Sequence, residues 1–118
     1  MLGVGLNAGE NVGIGSFSFL GCAGGVVIGS DTIMGNFVSI HSENHVYEDA
    51  HVPIRLQGVS RIGVSIGSNC WIGAKATILD GVVLGDRTIV AAGAVVTPGV
   101  YESDCILAGV PARKVKSI

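Results

Sequence analysis

The sequence predicts an all-β fold of one kind, a parallel β-helix solenoid forming a single domain over residues 1–118. Three observations carry that prediction: apolar residues recur every six positions, glycine is in excess, and charge is scarce. Of the 118 residues, 48% are apolar, 14% are charged and nineteen are glycine. Glycine stands at about twice its usual share, yet there are only three prolines and no Gly-X-Y period, so the chain is not collagen-like. A mean hydropathy of +0.60 excludes intrinsic disorder, because disordered chains are poor in apolar residues and rich in charge.

The repeat opens at Leu2 and steps by six through Ala8, Ile14 and Leu20. A two-residue slip within Gly21–Gly25 moves the frame to Ile28, Met34 and Ile40. After an interruption it resumes at Ile66 and runs unbroken through Ile72, Ile78, Leu84, Val90 and Val96. Twelve of these thirteen anchors are Leu, Ile, Val or Met, and glycine follows nine of them. Two residues before the anchors stand small or β-branched side chains: Val26, Thr32, Val38, Val64, Cys70, Ala76, Val82, Thr88 and Ala94. A period of six fits neither the 3.6 of a helix nor plain strand alternation. It reads as two inward positions on a short strand, then a corner where glycine relieves backbone strain. Coils built this way stack and bury one continuous core. A glycine-rich sandwich would instead show variable strand spacing with turns about every 8–12 residues.

Seven Lys and Arg against nine Asp and Glu give a net charge of −2, which does not suggest a nucleic-acid surface. Cys22, Cys70 and Cys105 are far apart and form no CxxC pair. They read as small buried residues of a reducing compartment. The longest apolar run, Ile89 to Val96, falls well short of the ~20 residues of a membrane span. The N-terminus has no basic segment or signal-peptide core. The expectation is a soluble, cytoplasmic protein.

With the hexads in view, the chain resembles the hexapeptide-repeat acyltransferases. The likeness covers nearly all of it and is strongest from Val64 to Val110, through Ile66-Gly67, Ile72-Gly73 and Leu84-Gly85 to the Ala108-Gly-Val-Pro-Ala-Arg-Lys-Val segment. These segments look like those of sugar O-acetyltransferases of surface-polysaccharide and galactoside/maltose type. The resemblance implies a left-handed helix with three hexads per turn, against the right-handed rule for parallel crossovers. It also implies acetyl-CoA as co-substrate, a sugar-like acceptor, no metal and a homotrimer.

The hexad fails from Glu43 to Arg61, and a long irregular excursion in a compact repeat is usually functional. All three histidines, His41, His45 and His51, fall within eleven consecutive residues at this break. Acyl transfer to a hydroxyl needs a base titrating near neutrality, and histidine is the side chain that does so unperturbed. In the family the catalytic histidine lies five residues past the last inward anchor. Counting from Ile40 gives His45, and Glu-Asn-His-Val-Tyr-Glu-Asp resembles the surrounding family motif. His41 occupies a position usually held by glycine and reads as an exposed corner residue. His51 reads as a loop contact. Glu43, Glu48 and Asp49 are all candidates to orient His45. Asn44, Tyr47, Arg55 and Gln57 suit acceptor hydroxyls, and serve equally well as solvated loop residues.

The donor side is implied by the resemblance. Coenzyme A would lie between neighbouring helices, its pantetheine arm along main-chain groups at Ala74, Ala92, Gly93, Ala94 and Thr97, where small side chains permit close approach. The basic cluster Arg113, Lys114 and Lys116 suits the nucleotide phosphates, and suits a solvated tail equally. Thr97-Pro98 departs from the Thr-Lys that the family often carries. Two other readings compete. A γ-carbonic-anhydrase-like zinc enzyme would need another ligand histidine on an earlier coil and a five-residue rather than four-residue spacing of His41 and His45. A non-catalytic solenoid of the ice-binding kind would need a threonine ladder.

Overall fold

The computed structural model describes residues 5–118, so the anchor Leu2 and its Gly3 lie outside the described residues. The chain winds as a parallel β-solenoid of about five turns, 47 Å long and 28 by 24 Å across. The first coil carries β1 (Leu6–Ala8), β2 (Gly13–Ile14) and β3 (Phe19–Gly21). The second carries β4 (Val26–Ile28), β5 (Ile33–Met34) and β6 (Ser39–His41), followed by the loop strands β7 (Asn44–His45) and β8 (Val59–Ser60). Coil three holds β9 (Val64–Ile66), β10 (Trp71–Ile72) and β11 (Thr77–Ile78). Coil four holds β12 (Val82–Leu84), β13 (Ile89–Val90) and β14 (Val95–Val96). The last turn has β15 (Gly99–Tyr101) and β16 (Cys105–Ala108), after which β17 (Arg113–Ser117) runs back antiparallel to β16. That return covers one otherwise open sheet edge.

Three parallel sheets result, one per hexad of each coil: β1-β4-β9-β12-β15, β2-β5-β10-β13-β16 with β17 beyond, and β3-β6-β11-β14. They are called the first, second and third faces below. Register confirms the repeat. Ser65 pairs with Val83 and Ile72 with Val90, both eighteen residues apart. The slip at Gly21–Gly25 appears as a register of twenty, Leu6 to Val26.

From Ile28 onward every anchor is buried, and so is every partner two residues before it, from Val26 to Ala94. Cys70 and Cys105 sit in this core as free thiols, and Cys22 is half-buried. The buried hydroxyls are satisfied: Thr32 Oγ1 donates to Gly67 O at 2.8 Å and Thr88 Oγ1 to Gly85 O at 2.8 Å. Coil one is the exception. Ala8 and Ile14 are exposed and Leu20 is half-buried, because an anchor needs a coil on both sides to be enclosed.

The corner glycines have a different cause from the one expected. Those that follow an anchor do not adopt left-handed dihedrals; the positive φ falls two residues later, at Asn11, Phe17, Asp31, Phe37, Asn69, Lys75 and Arg87. Glycine after the anchor is required by the close approach of the next coil. A Cβ on Gly15 would lie 2.3 Å from the Gly35 carbonyl, and one on Gly73 would lie 2.5 Å from Ala92 N. At these corners the left-handed backbone is carried by residues that are not glycine, whereas Gly81 and Gly93 carry it after the anchors Ile78 and Val90.

Candidate functional site

The loop leaves the edge between the third and first faces. At its root the Ser42 hydroxyl accepts from Gly24 N at 2.9 Å and donates to Gly21 O. β7 then pairs antiparallel with β8, setting Asn44 opposite Ser60 and His45 opposite Val59. The excursion is therefore a hairpin standing off the solenoid. Its tip is knotted by Gln57, whose amide donates to Asp49 O and Val52 O at 2.9 and 2.7 Å and accepts from Asp49 N. Its return is fixed by Asp80, whose carboxylate is fully buried and accepts Gly63 N at 2.7 Å and Ile62 N at 3.1 Å. A buried carboxylate is stable there because backbone donors replace its water. An aspartate within an otherwise apolar corner was the sequence signal for this anchor.

Between hairpin and coil lies a cleft of about 360 Å³ lined by His41, Glu43, Asn44, His45, Val59 and Leu79. The structure thus brings His45 and Asn44 together. It leaves Tyr47, His51, Arg55 and Gln57 outside the lining. Each candidate for orienting His45 is engaged elsewhere. Glu43 Oε2 accepts from Arg61 Nε at 2.8 Å, Glu48 accepts from Tyr47 N, and Asp49 accepts from His51 N. Among the described residues no side chain hydrogen-bonds the His45 ring. His41, expected as an exposed corner residue, is half-buried and forms a wall of the cleft.

A second cluster forms on a different edge, between the second and third faces. Ala74 and Ala92 occupy equivalent corners of consecutive coils, and Gly93 N donates to Ala74 O at 2.9 Å. At three other corners the equivalent amide is capped by a polar side chain of the next coil. Glu10 N donates to Ser30 Oγ, Ser16 N to Asn36 Oδ1, and Ser68 N to Asp86 Oδ1. The residue stacked on Ala74 in the next coil is Ala92, which carries no such oxygen. Among the described residues, neither the Ala74 nor the Ala92 N–H is hydrogen-bonded to the chain. Two spaced amide donors on a Cβ-poor edge suit an extended ligand bearing carbonyl oxygens. Trp71, half-exposed on the adjoining strand three residues before Ala74, was not singled out from sequence.

Ala94 does not join this edge. It is buried, with its N–H on Ala91 O and its carbonyl accepting from Thr77 N. Thr97 sits on the loop's edge, its carbonyl accepting from the Tyr101 hydroxyl at 2.7 Å. Arg113, Lys114 and Lys116 lie exposed along β17. Lys114 Nζ pairs with Glu102 at 2.5 Å, and that carboxylate holds its ammonium above the ordinary lysine value. Among the described residues no three His, Cys, Asp and Glu side chains converge as a metal site, and no helix is long and apolar enough to cross a membrane.

Comparison with known proteins adds a family. Residues 63–98 match the bacterial transferase hexapeptide (six repeats). Over those residues the chain carries the hexapeptide repeat of that family. It is 31% identical to the galactoside O-acetyltransferase of Escherichia coli over 79% of this chain and 44% of that protein. It is 29% identical to the chloramphenicol acetyltransferase of Morganella morganii over 87% of this chain and 50% of that one. A maltose O-acetyltransferase from Clostridium difficile 630 superposes with a TM-score of 0.85 at 29% identity, over 96% of this chain and 59% of that one. The same fold, with a TM-score of 0.71 at 24% identity, occurs in a Vibrio cholerae hexapeptide-repeat acetyltransferase solved with acetyl coenzyme A, over 95% of this chain and 64% of that one. The hexapeptide-repeat chain spans about half the length of the curated relatives it matches.

Proposed function

We propose that the protein transfers an acetyl group from acetyl-CoA to a hydroxyl of a sugar-like acceptor, with His45 as general base. The observation that carries this reading is the cleft in which His45 and Asn44 meet under the hairpin. The relatives named as galactoside and maltose O-acetyltransferases support the reaction class and the kind of acceptor. In the reaction His45 takes the acceptor proton while the oxygen attacks the thioester carbon. As the tetrahedral intermediate collapses the carbon–sulfur bond breaks, and the departing thiolate takes the proton back from His45. The free amides of Ala74 and Ala92 suit the pantetheine carbonyls or the developing oxyanion.

His45 and Ala74 sit on different edges of one solenoid, and the lining of the His45 cleft includes none of Ala74, Ala92 or Gly93. A cyclic homotrimer supplies the missing half, with the hairpin of one copy facing the Ala74 edge of the next. Arg113 and Lys116 are then the cations available to the nucleotide phosphates, since Lys114 is paired with Glu102.

The test follows free thiol release from acetyl-CoA in the presence of methyl glycosides. His45→Ala is expected to lower kcat about 10²–10⁴-fold, the usual cost of a lost general base, with the affinity for coenzyme A unchanged. Turnover within a few-fold of wild type overturns the role of His45.

A further inference from the structure

We propose that His41 and Ser39 form a second hydroxyl-binding subsite beside His45, so that the acceptor is a compound with two neighbouring hydroxyls. The inference rests on the acetyl-transfer reading and narrows its substrate class. His41 is the last residue of β6, on the solenoid itself, whereas His45 rides on the hairpin. Its ring is held from two sides. Nε2 is 2.5 Å from Ser39 Oγ, and the Phe19 ring packs against it with centroids 5.5 Å apart. A ring fixed this way keeps one nitrogen on the serine and leaves the other for a ligand.

The cleft composition supports that assignment. Of its six lining residues, Val59 and Leu79 are apolar, and the Glu43 carboxylate is engaged by Arg61. Besides the second Glu43 oxygen, the polar groups left to address a ligand are two imidazoles and the Asn44 amide. Two imidazoles on independent supports, one fixed and one on a loop, match two oxygen atoms on one small molecule. His45 takes the oxygen that is acetylated, and His41 holds the hydroxyl beside it. A single-hydroxyl acceptor would leave the His41 ring desolvated without a partner, which is how a polar site rejects an analogue lacking the group.

The experiment compares methyl hexopyranosides with counterparts lacking the hydroxyl next to the acetylated position, using acetyl-CoA as donor. Wild type is expected to favour the diol by about tenfold or more in kcat/KM. His41→Phe is expected to bring that ratio close to one through the acceptor KM, leaving the acetyl-CoA KM unchanged. Ser39→Ala, which frees the ring without removing it, is expected to lower the ratio part of the way. If His41→Phe does not fold, His41→Ala is read by the same ratio. A diol preference that persists in the His41 variant overturns the subsite. Wild-type protein that acetylates no hydroxyl, or His45→Ala that keeps full turnover, overturns the acetyl-transfer reading instead.

Discussion

Two residues at one corner should respond to mutation in opposite ways. Gly73 has an ordinary φ but no room, whereas Lys75 has room but φ +63°. Gly73→Ala drives a methyl into Ala92 N and Val90 O, which are backbone atoms and cannot rotate away. A loss of about 2 kcal/mol or more is expected, in the range of overpacked cores. Lys75→Gly removes left-handed strain of about 1–2 kcal/mol and adds an unfolded-state entropy cost of about 0.5–1 kcal/mol. The net should be neutral to mildly stabilising, and urea midpoints of the two variants check the pair. The buried thiols give a pH dependence. Burial pushes Cys70 and Cys105 above their ordinary 9.0, and Glu102 adds to it at Cys105. The folded chain therefore holds these protons more tightly than the unfolded chain. Stability should be full below pH 9 and decline above it as the unfolded thiols ionise first. A urea midpoint lower at pH 10 than at pH 8, and flatter in Cys70→Ala, is the expected result.

At the scale of the element, hairpin and solenoid are joined by few and separable contacts. Gln57 closes the tip and its hydrogen bonds all stay within the hairpin, so Gln57→Ala should leave the thermal midpoint almost unchanged. It should speed proteolysis between Asp49 and Gln57 several-fold, read by limited digestion. Asp80 is the opposite case. Asp80→Ala strips acceptors from the Ile62 and Gly63 amides at the edge of the core, at about 1–3 kcal/mol for buried groups left unpaired. The loop break was legible in sequence because the hexad stops at a definite residue. The hairpin pairing was not, since β7 and β8 are two residues each and carry no periodicity. The engagement of Glu43 with Arg61, eighteen residues away, is likewise a tertiary contact.

For the whole molecule, the separation of the two edges argues for assembly. One chain leaves Ile33 and Trp71 each 53% exposed on the second face, and Phe19 57% exposed on the third, an unusual share of large apolar surface for so small a protein. Cyclic closure with heterologous contacts would cover part of it and unite the His45 and Ala74 edges. Light scattering at micromolar concentration should give about three times the 12.0 kDa chain mass. A monomer that still transfers acetyl groups would sink the shared-site arrangement.

The six-residue period by itself determined the solenoid, its inward columns, the slip at Gly21–Gly25 and the excursion bearing the histidines. It could do so because each coil repeats the same local packing problem, and a periodic problem leaves a periodic sequence. Tertiary structure alone decided the rest. It put left-handed backbone at residues such as Phe37 and Lys75, left the Ala74 amide facing Ala92 instead of a capping side chain, and packed His41 against Phe19 in the wall of the cleft. These outcomes depend largely on what the neighbouring coil or the returning loop supplies, and no local pattern records them.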